Sequence, residues 1–433
     1  MKIDNHYVPK LILRRFDEKI NTYNLTTHEL KIDKNIKTAF SSKLLYSQEI
    51  EDLFNYRIEN EFARILDKKI LVDTDEIILT REELATTKKF LLLAMFRTVD
   101  GELLMQHMKD RVAETLKTTI NFEEQNIDDI SNFDYWMQTI KCVLESDDLV
   151  NVRSHPFATV KAVQWATTFN AGYLSIWDSL DTGEDFIVID NGMTSEHEST
   201  RFLKPINNDV LKRGYLLDQT IFSESLSKEQ KAINLINCQN IMLGNDFMTE
   251  NFYLFSITKS RMIVLINPFY RLYDKSEHEG TSILPIPDIW PTRIKDKRLF
   301  LKNKNKYING LEETLKENKT DKNDLYIYPV RKMDLDDVIY VNCLSFDRIS
   351  NLMGFSNSSR IRRSLSVYSL IEGLNKYDAL IKHFEDMGNP IVINTTIKEI
   401  KKHIAPDYIE FSFREQIYIK NYLKTRDFVS NIK

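Results

Sequence analysis

The chain has 433 residues, with Lys+Arg 59 against Asp+Glu 64, a formal net charge of -5, and 42% hydrophobic and 11% aromatic residues. That length calls for two or three packing units or one large α+β body, and the aromatic share excludes a disordered chain. Gly 11 and Pro 10 fall below the roughly 7% and 5% of ordinary proteins, which disfavours glycine-lined phosphate loops, and the mild negative charge excludes a global attraction to nucleic acid or acidic membranes.

The opening stretch NHYVPKLILRRF, Asn5 to Phe16, places Pro9 where it presets a helical first turn. Leu13 and Phe16 can then dock on a core, and His6 can bond a free N–H of that turn. Arg14 and Arg15 point about 100° apart on such a helix, so one of them is expected to face inward. INTYNLTTHELKI alternates around Thr26-Thr27-His28 and predicts a small edge hairpin. Ile50, Phe54, Ile58, Phe62, Ile65 and Ile70 recur at helical spacing, with Glu51, Arg57, Glu59 and Lys68 expected to face out. Thr80 and Glu83 form a capping box before the apolar KKFLLLAMFRTVDGELLMQHMKDRVAETL, which predicts a long helix with a break near Gly101. Further helices are expected over 132–145 and 155–170, the second opened by Pro156.

The hydrophobic period then switches to two. YLSIWDS and DFIVIDN, joined by Leu-Asp-Thr-Gly-Glu, predict one hairpin, and NFYLFSI with RMIVLINPF predict another. Residues 205–250 read as loop and short helix, and helical patterns return at 334–352, 358–385 and 408–423. The fold class expected is therefore α+β, with a helical N-terminal region, central antiparallel β-hairpins and a helical C-terminal region. The regions run 1–47 for the opening motif and edge hairpin, 48–171 helical, 172–291 β-containing, 292–330 a basic mobile or inserted segment, and 331–433 helical.

Signatures for P-loop, dinucleotide-binding, zincin and α/β-hydrolase chemistry are absent. Cys142, Cys238 and Cys343 are too widely spaced for a zinc site or a disulfide framework, which implies a reducing compartment. MKIDNHYVPK lacks an apolar leader core, and the longest apolar run, Phe90 to Phe96, is too short to cross a bilayer, so a cytoplasmic protein is expected. Asp190 ends an apolar strand, and Glu196-His197-Glu198 follow closely; together they offer ligands for one divalent metal, although Asp190-Asn191-Gly192 is also ordinary turn chemistry. Arg293, Lys295, Lys297, Arg298, Lys302, Lys304 and Lys306 surround Phe300 and Tyr307. That mixture of charge and stackable rings suits single-stranded DNA or RNA, and Arg360, Arg362 and Arg363 form a second cluster. A solvated lysine run accounts for the same residues.

Asn5-His6-Tyr7-Val8-Pro9 followed by Leu13-Arg14-Arg15-Phe16 resembles the start of the DUF4238 family, proteins of unknown function. The resemblance continues through the edge hairpin, the helix with Arg57, Glu59 and Glu61, the Phe90–Arg97 helix, the strand ending at Asp190, and Val341-Asn342. The family often has Ser-Asp-Xaa-Pro at that strand end, where this chain has Ile189-Asp190-Asn191-Gly192, so only the aspartate carries over. The resemblance implies a cytosolic, mostly bacterial accessory protein, in some cases in a phage-defence or toxin-like setting.

Three functions are consistent with these patterns. In the first, a nucleic-acid-directed hydrolase, Asp190 with Glu196, His197 or Glu198 holds a metal, His6 is acid or base, and Arg14 or Arg15 holds a phosphate. The second is a non-catalytic binding or sensor protein using the basic segment. The third is a structural subunit that needs a protein partner or forms a homo-oligomer.

Overall fold

Pro9, with φ -55° and ψ 134°, opens α1 (Lys10–Phe16), and β1 (Asp4–His6) precedes it. Leu11, Ile12, Leu13 and Phe16 are all buried, so this short helix is fastened by one apolar face. The computed structural model describes residues 4–43, 45–98, 130–197, 250–267, 292–294 and 324–372, together with Tyr270, Ser282, Leu284, Leu380 and Lys382. β1 pairs antiparallel with β4 (Ser41–Lys43). β2 (Lys19–Asn24) and β3 (Glu29–Asn35) form the expected hairpin, with β3 at the sheet edge.

The next helical stretch departs from a plain α-helix twice. α2 (Gln48–Phe54) runs into a π segment at Asn55–Glu59, then α3 (Asn60–Ile65), then a second π segment at Leu66–Ile70. Ile50, Phe54, Ile58, Phe62, Ile65 and Ile70 are buried, and Arg57 and Lys68 face out as expected. Glu51 and Glu59 do not. At about 100° per residue, two positions eight apart diverge by about 80° on an α-helix. A π turn absorbs about one extra residue, which reduces the divergence to about 20° and turns both carboxylates to the same inner side.

β5 (Glu76–Thr80) feeds α4 (Arg81–Phe96) through the capping box: Glu83 N donates to Thr80 Oγ1 at 3.1 Å and Thr80 N to Glu83 Oε2 at 2.9 Å. Every residue from Thr87 to Phe96 is buried, and Phe90 stacks on Phe62 at 3.8 Å. The expected continuation beyond Arg97 and the break near Gly101 lie outside the described residues. α5 (Asn132–Glu145) forms as expected. α6 (Val160–Ala171) begins later than Pro156 suggests, because the Thr159 hydroxyl accepts from Ala162 N at 3.1 Å and sets the helix start there. Pro156 falls in a turn closed by Ala158 N donating to His155 O.

The first central hairpin is corrected. β6 (Tyr173–Asp178) lies between β10 (Arg261–Ile266), antiparallel, and β12 (Leu325–Lys332), parallel. β7 (Val188–Ile189) instead joins β13 (Leu352–Phe355) in the sheet ordered β3-β2-β13-β7. Residues 184–190 are buried throughout, and a strand buried on both faces carries no periodic mark of its partner. The second hairpin stands as expected, β9 (Glu250–Ser256) with β10. β8 (Thr194–His197) extends that side, and β11 (Thr292–Ile294) pairs with β12 to close the order β11-β12-β6-β10-β9-β8, with β5 also on β12. β1, β4, β5, β8, β11, β12 and β13 are not among the expected elements, and β11 and β12 put paired strands at both ends of the 292–330 stretch expected to be mobile or inserted.

The chain returns to helix at α7 (Leu335–Arg348), which stops short of 352 because β13 follows, and at α8 (Arg362–Glu372). The loop expected over 205–249 and the helix over 408–423 lie outside the described residues. The largest apolar cluster runs from Tyr7 to Leu352 and joins α1, α2, α4, α5, α6 and the sheets, while a second joins Tyr23, Ile187, Ile339, Phe346, Leu365 and Tyr368 under α8. The protein is thus α+β. No helix among the described residues is long and apolar enough to cross a membrane.

Candidate functional site

The inward arginine is Arg97. It follows the FLLLAMF run, and the end of α4 carries it beneath the opening motif, where it is 2% exposed. Its guanidinium donates to Glu59 Oε1 through one terminal nitrogen, to Glu51 Oε2 at 3.2 Å through the other, and to the Tyr46 hydroxyl through Nε. The cation also lies 4.3 Å from the centre of the Phe54 ring. Two carboxylates around one buried cation satisfy its charge, and the π segment is what brings both to it.

The opening motif closes this junction from above. Asn5 Nδ2 reaches Glu51 Oε2 at 3.4 Å, Tyr46 N donates to Asn5 Oδ1 at 3.3 Å, and the Tyr46 hydroxyl donates to the His6 carbonyl at 3.1 Å. His6 is 1% exposed. Its Nε2 lies 3.0 Å from Lys37 O, a pure acceptor, so the proton is on Nε2; this contact replaces the expected bond to the helix turn. Nδ1 has no hydrogen-bond partner among the described residues. Burial, then the charges of Lys10 and Arg97, push the imidazole down to about 4, so it is neutral at physiological pH.

Arg14 is exposed, and Arg15 forms an ion pair with Asp67 at 2.7 Å, with a further bond to Leu11 O. Neither faces His6 or Asp190 through a described bond.

Asp190 ends β7, and its carboxylate accepts three backbone N–H groups: Ser350 at 3.1 Å, Asn351 at 2.6 Å and Leu352 at 2.7 Å. It clamps the turn that launches β13. The following Asn191 accepts from Thr98 Oγ1 at 2.8 Å, and Gly192, at φ +69°, passes so close to α4 that an added Cβ would meet Ala94 O at 2.9 Å. The Asp190 turn and the opening motif therefore meet at the end of α4. Burial, then the negative charge of Asp190, raises the Tyr7 hydroxyl, whereas the charges acting on His6 are those of Lys10, Arg97 and Glu51.

Glu196 is fully buried in β8 and accepts from Tyr340 OH at 3.0 Å and Ser282 Oγ at 2.5 Å. The His197 side chain and Glu198 lie outside the described residues, as do the side chain of Arg293 and all of Lys295, Lys297, Arg298, Phe300, Lys302, Lys304 and Lys306. Among the described residues no group of three or more His, Cys, Asp or Glu side chains could hold a metal. Arg360 is exposed and pairs with Asp185 at 3.2 Å, while Arg362 and Arg363 open α8 and are half-buried.

Two further polar groups escaped the sequence reading. Lys88 and Lys89, adjacent on α4, are buried and close two helix ends: Lys88 Nζ donates to Asn170 O at 2.6 Å, and Lys89 Nζ to Leu144 O at 3.0 Å. Burial brings them down to about 7 and about 8. Glu184, Asp185 and Asn342 gather at the start of α8, with Asn342 Nδ2 donating to Asp185 O at 2.9 Å and to Ser364 Oγ at 3.0 Å. The only local sign of Arg97 was a charge ending an apolar run; the Glu184 group had none.

No curated protein and no solved structure matches this chain. A family model, protein of unknown function DUF4238, matches residues 4–359, which include the opening motif, both π segments, Arg97, the Asp190 turn and Asn342. The chain belongs to the DUF4238 family.

Proposed function

We propose that this is a cytoplasmic, non-catalytic nucleic-acid-binding protein of the accessory or phage-defence type, with contact made by the basic segment from Arg293 to Lys306. One observation carries the reading. β11 is the outermost strand of its sheet, and Ile294 is in register with Leu325 of β12. The segment between Ile294 and Leu325, which carries most of the basic run, thus starts and ends side by side on paired strands. The acidic candidates point the same way, since Asp190 is saturated by backbone N–H groups and Glu196 is buried and hydrogen-bonded.

Anisotropy of labelled single-stranded RNA and DNA, titrated between about 50 and 200 mM salt, tests this. The expected result is binding that weakens steeply with salt. Its slope should fall by about 0.7 for each phosphate left without its cation when Lys295, Lys297, Lys302, Lys304 and Lys306 are changed to Gln. Binding indifferent to those changes, or none at low salt, overturns the reading.

A second reading, phosphodiester hydrolysis, is favoured by the neutral His6, whose Nδ1 lone pair has no hydrogen-bond partner among the described residues, the state a general base needs. Incubation with RNA and DNA, with and without Mg²⁺, Mn²⁺ or Zn²⁺, separates the two: cleavage abolished by His6→Gln supports it, and intact substrate under every metal removes it.

A further inference from the structure

We propose that Glu184 and Asp185 form a pH-responsive clasp that holds the stretch from Arg360 to Tyr368 against the helix and sheet beneath it, gripping more tightly in acid than in alkali. The family match ends at residue 359, immediately before Arg360.

The geometry is that of a hand on the first turn of α8. Glu184 accepts from Arg363 N at 3.1 Å, Ser364 N at 3.2 Å and Ser364 Oγ at 2.7 Å, and so does from a distant loop what an N-cap side chain does locally. Asp185 takes Ser356 Oγ at 2.5 Å and Arg360 Nε at 3.2 Å, and its backbone N donates to Arg360 O at 2.6 Å. Behind them Asn342 of α7 ties Asp185 O to Ser364 Oγ. Beneath the clasp, Ile361, Leu365 and Tyr368 pack on Ile339, Cys343 and Phe346.

The clasp is responsive because the gripping carboxylate is met mainly by neutral dipoles. The charged or titratable groups around it are Asp185 and the exposed Asp181 on its own loop, Arg360, Arg362 and Arg363 from the start of α8, and Cys343 and Asp347 from α7. Burial pushes Glu184 up to about 7 from 4.5, against the hydrogen bonds from Ser364 and Arg363 and the Arg363 charge. A carboxyl that binds its proton more tightly when docked favours docking below its docked value. Docking is therefore firmest near pH 4.5 and below, weakens as pH rises to about 7, and is level above that.

Hydrogen exchange of the full-length protein over residues 361–368, divided by intrinsic rates, reads the clasp directly. Protection is expected to fall on the order of tenfold between pH 5.5 and pH 8, and Glu184→Gln, which mimics the protonated carboxyl, is expected to keep the acid level at both. Equal wild-type protection at the two pH values overturns the proposal, as does a Glu184→Gln protein that retains the wild-type change. Should Glu184→Gln fail to fold, Ser364→Ala serves instead: it removes a hydroxyl that favours the ionised carboxylate, so the midpoint of the change moves to higher pH, and an unmoved midpoint counts against the clasp.

Discussion

The Arg97 junction and the Glu184–Asp185 loop are both buried, charged and assembled from distant parts of the chain, yet they balance that charge differently. Arg97 is enclosed by Glu51 and Glu59, so the charge is balanced inside the protein. Glu184 is met by two backbone N–H groups and one hydroxyl, which stabilise its negative charge without neutralising it. The difference shows two ways of holding a buried charge: enclosing it in opposite charge, or aiming N–H and O–H dipoles at it.

The sharpest way to break the comparison is to open the balanced site. Arg97→Met leaves Glu51 and Glu59 without their cation, and a loss of about 3–5 kcal/mol is expected in urea unfolding. A smaller loss would mean that the carboxylates reach solvent easily and that the junction is not electrically closed. Next comes Asp190, an anion held by backbone dipoles like Glu184 but with three N–H groups. Asp190→Ala strands all three, with an expected loss of about 3 kcal/mol, and Asp190→Asn should recover part of it. Nucleic-acid binding by Asp190→Asn protein should match wild type, because the residue acts on the turn to β13.

An effect spread over a pH interval belongs to His6. Its imidazole is depressed to about 4 from 6.5, so the unfolded chain takes up a proton first as pH falls. The contribution is complete above pH 6.5 and is lost progressively as pH drops to about 4, amounting to about 3 kcal/mol. His6→Gln should flatten that part of the stability profile, measured as urea midpoints across the interval. An unchanged profile would place the acid sensitivity elsewhere.

Much of this architecture can be read locally. The Thr80–Glu83 box, the β2–β3 and β9–β10 hairpins and the apolar stripe from Ile50 to Ile70 each carry their cause within a few residues. The corrected features depend on distance. Asp190 meets its partners some 160 positions away, and β6 takes β12 rather than the adjacent β7 segment. Glu51 and Glu59 were read outward because a regular helical period was assumed, and the π segment breaks that period without a distinctive composition. Of the site residues, His6 and Asp190 were visible as a motif and a strand end; Arg97 became apparent only once α4 was placed.

The π segment at Asn55–Glu59 also constrains how this stretch can vary in length. Loss of one residue there would let the helix relax to an ordinary α pitch with the two carboxylates seven positions apart, which keeps their divergence at about 20°. Glu51 would stay beside Arg97 although the chain had been shortened. A one-residue gap in an alignment of DUF4238 sequences is therefore accommodated within Asn55–Glu59, whereas an insertion or a longer deletion there turns Glu51 away from Arg97.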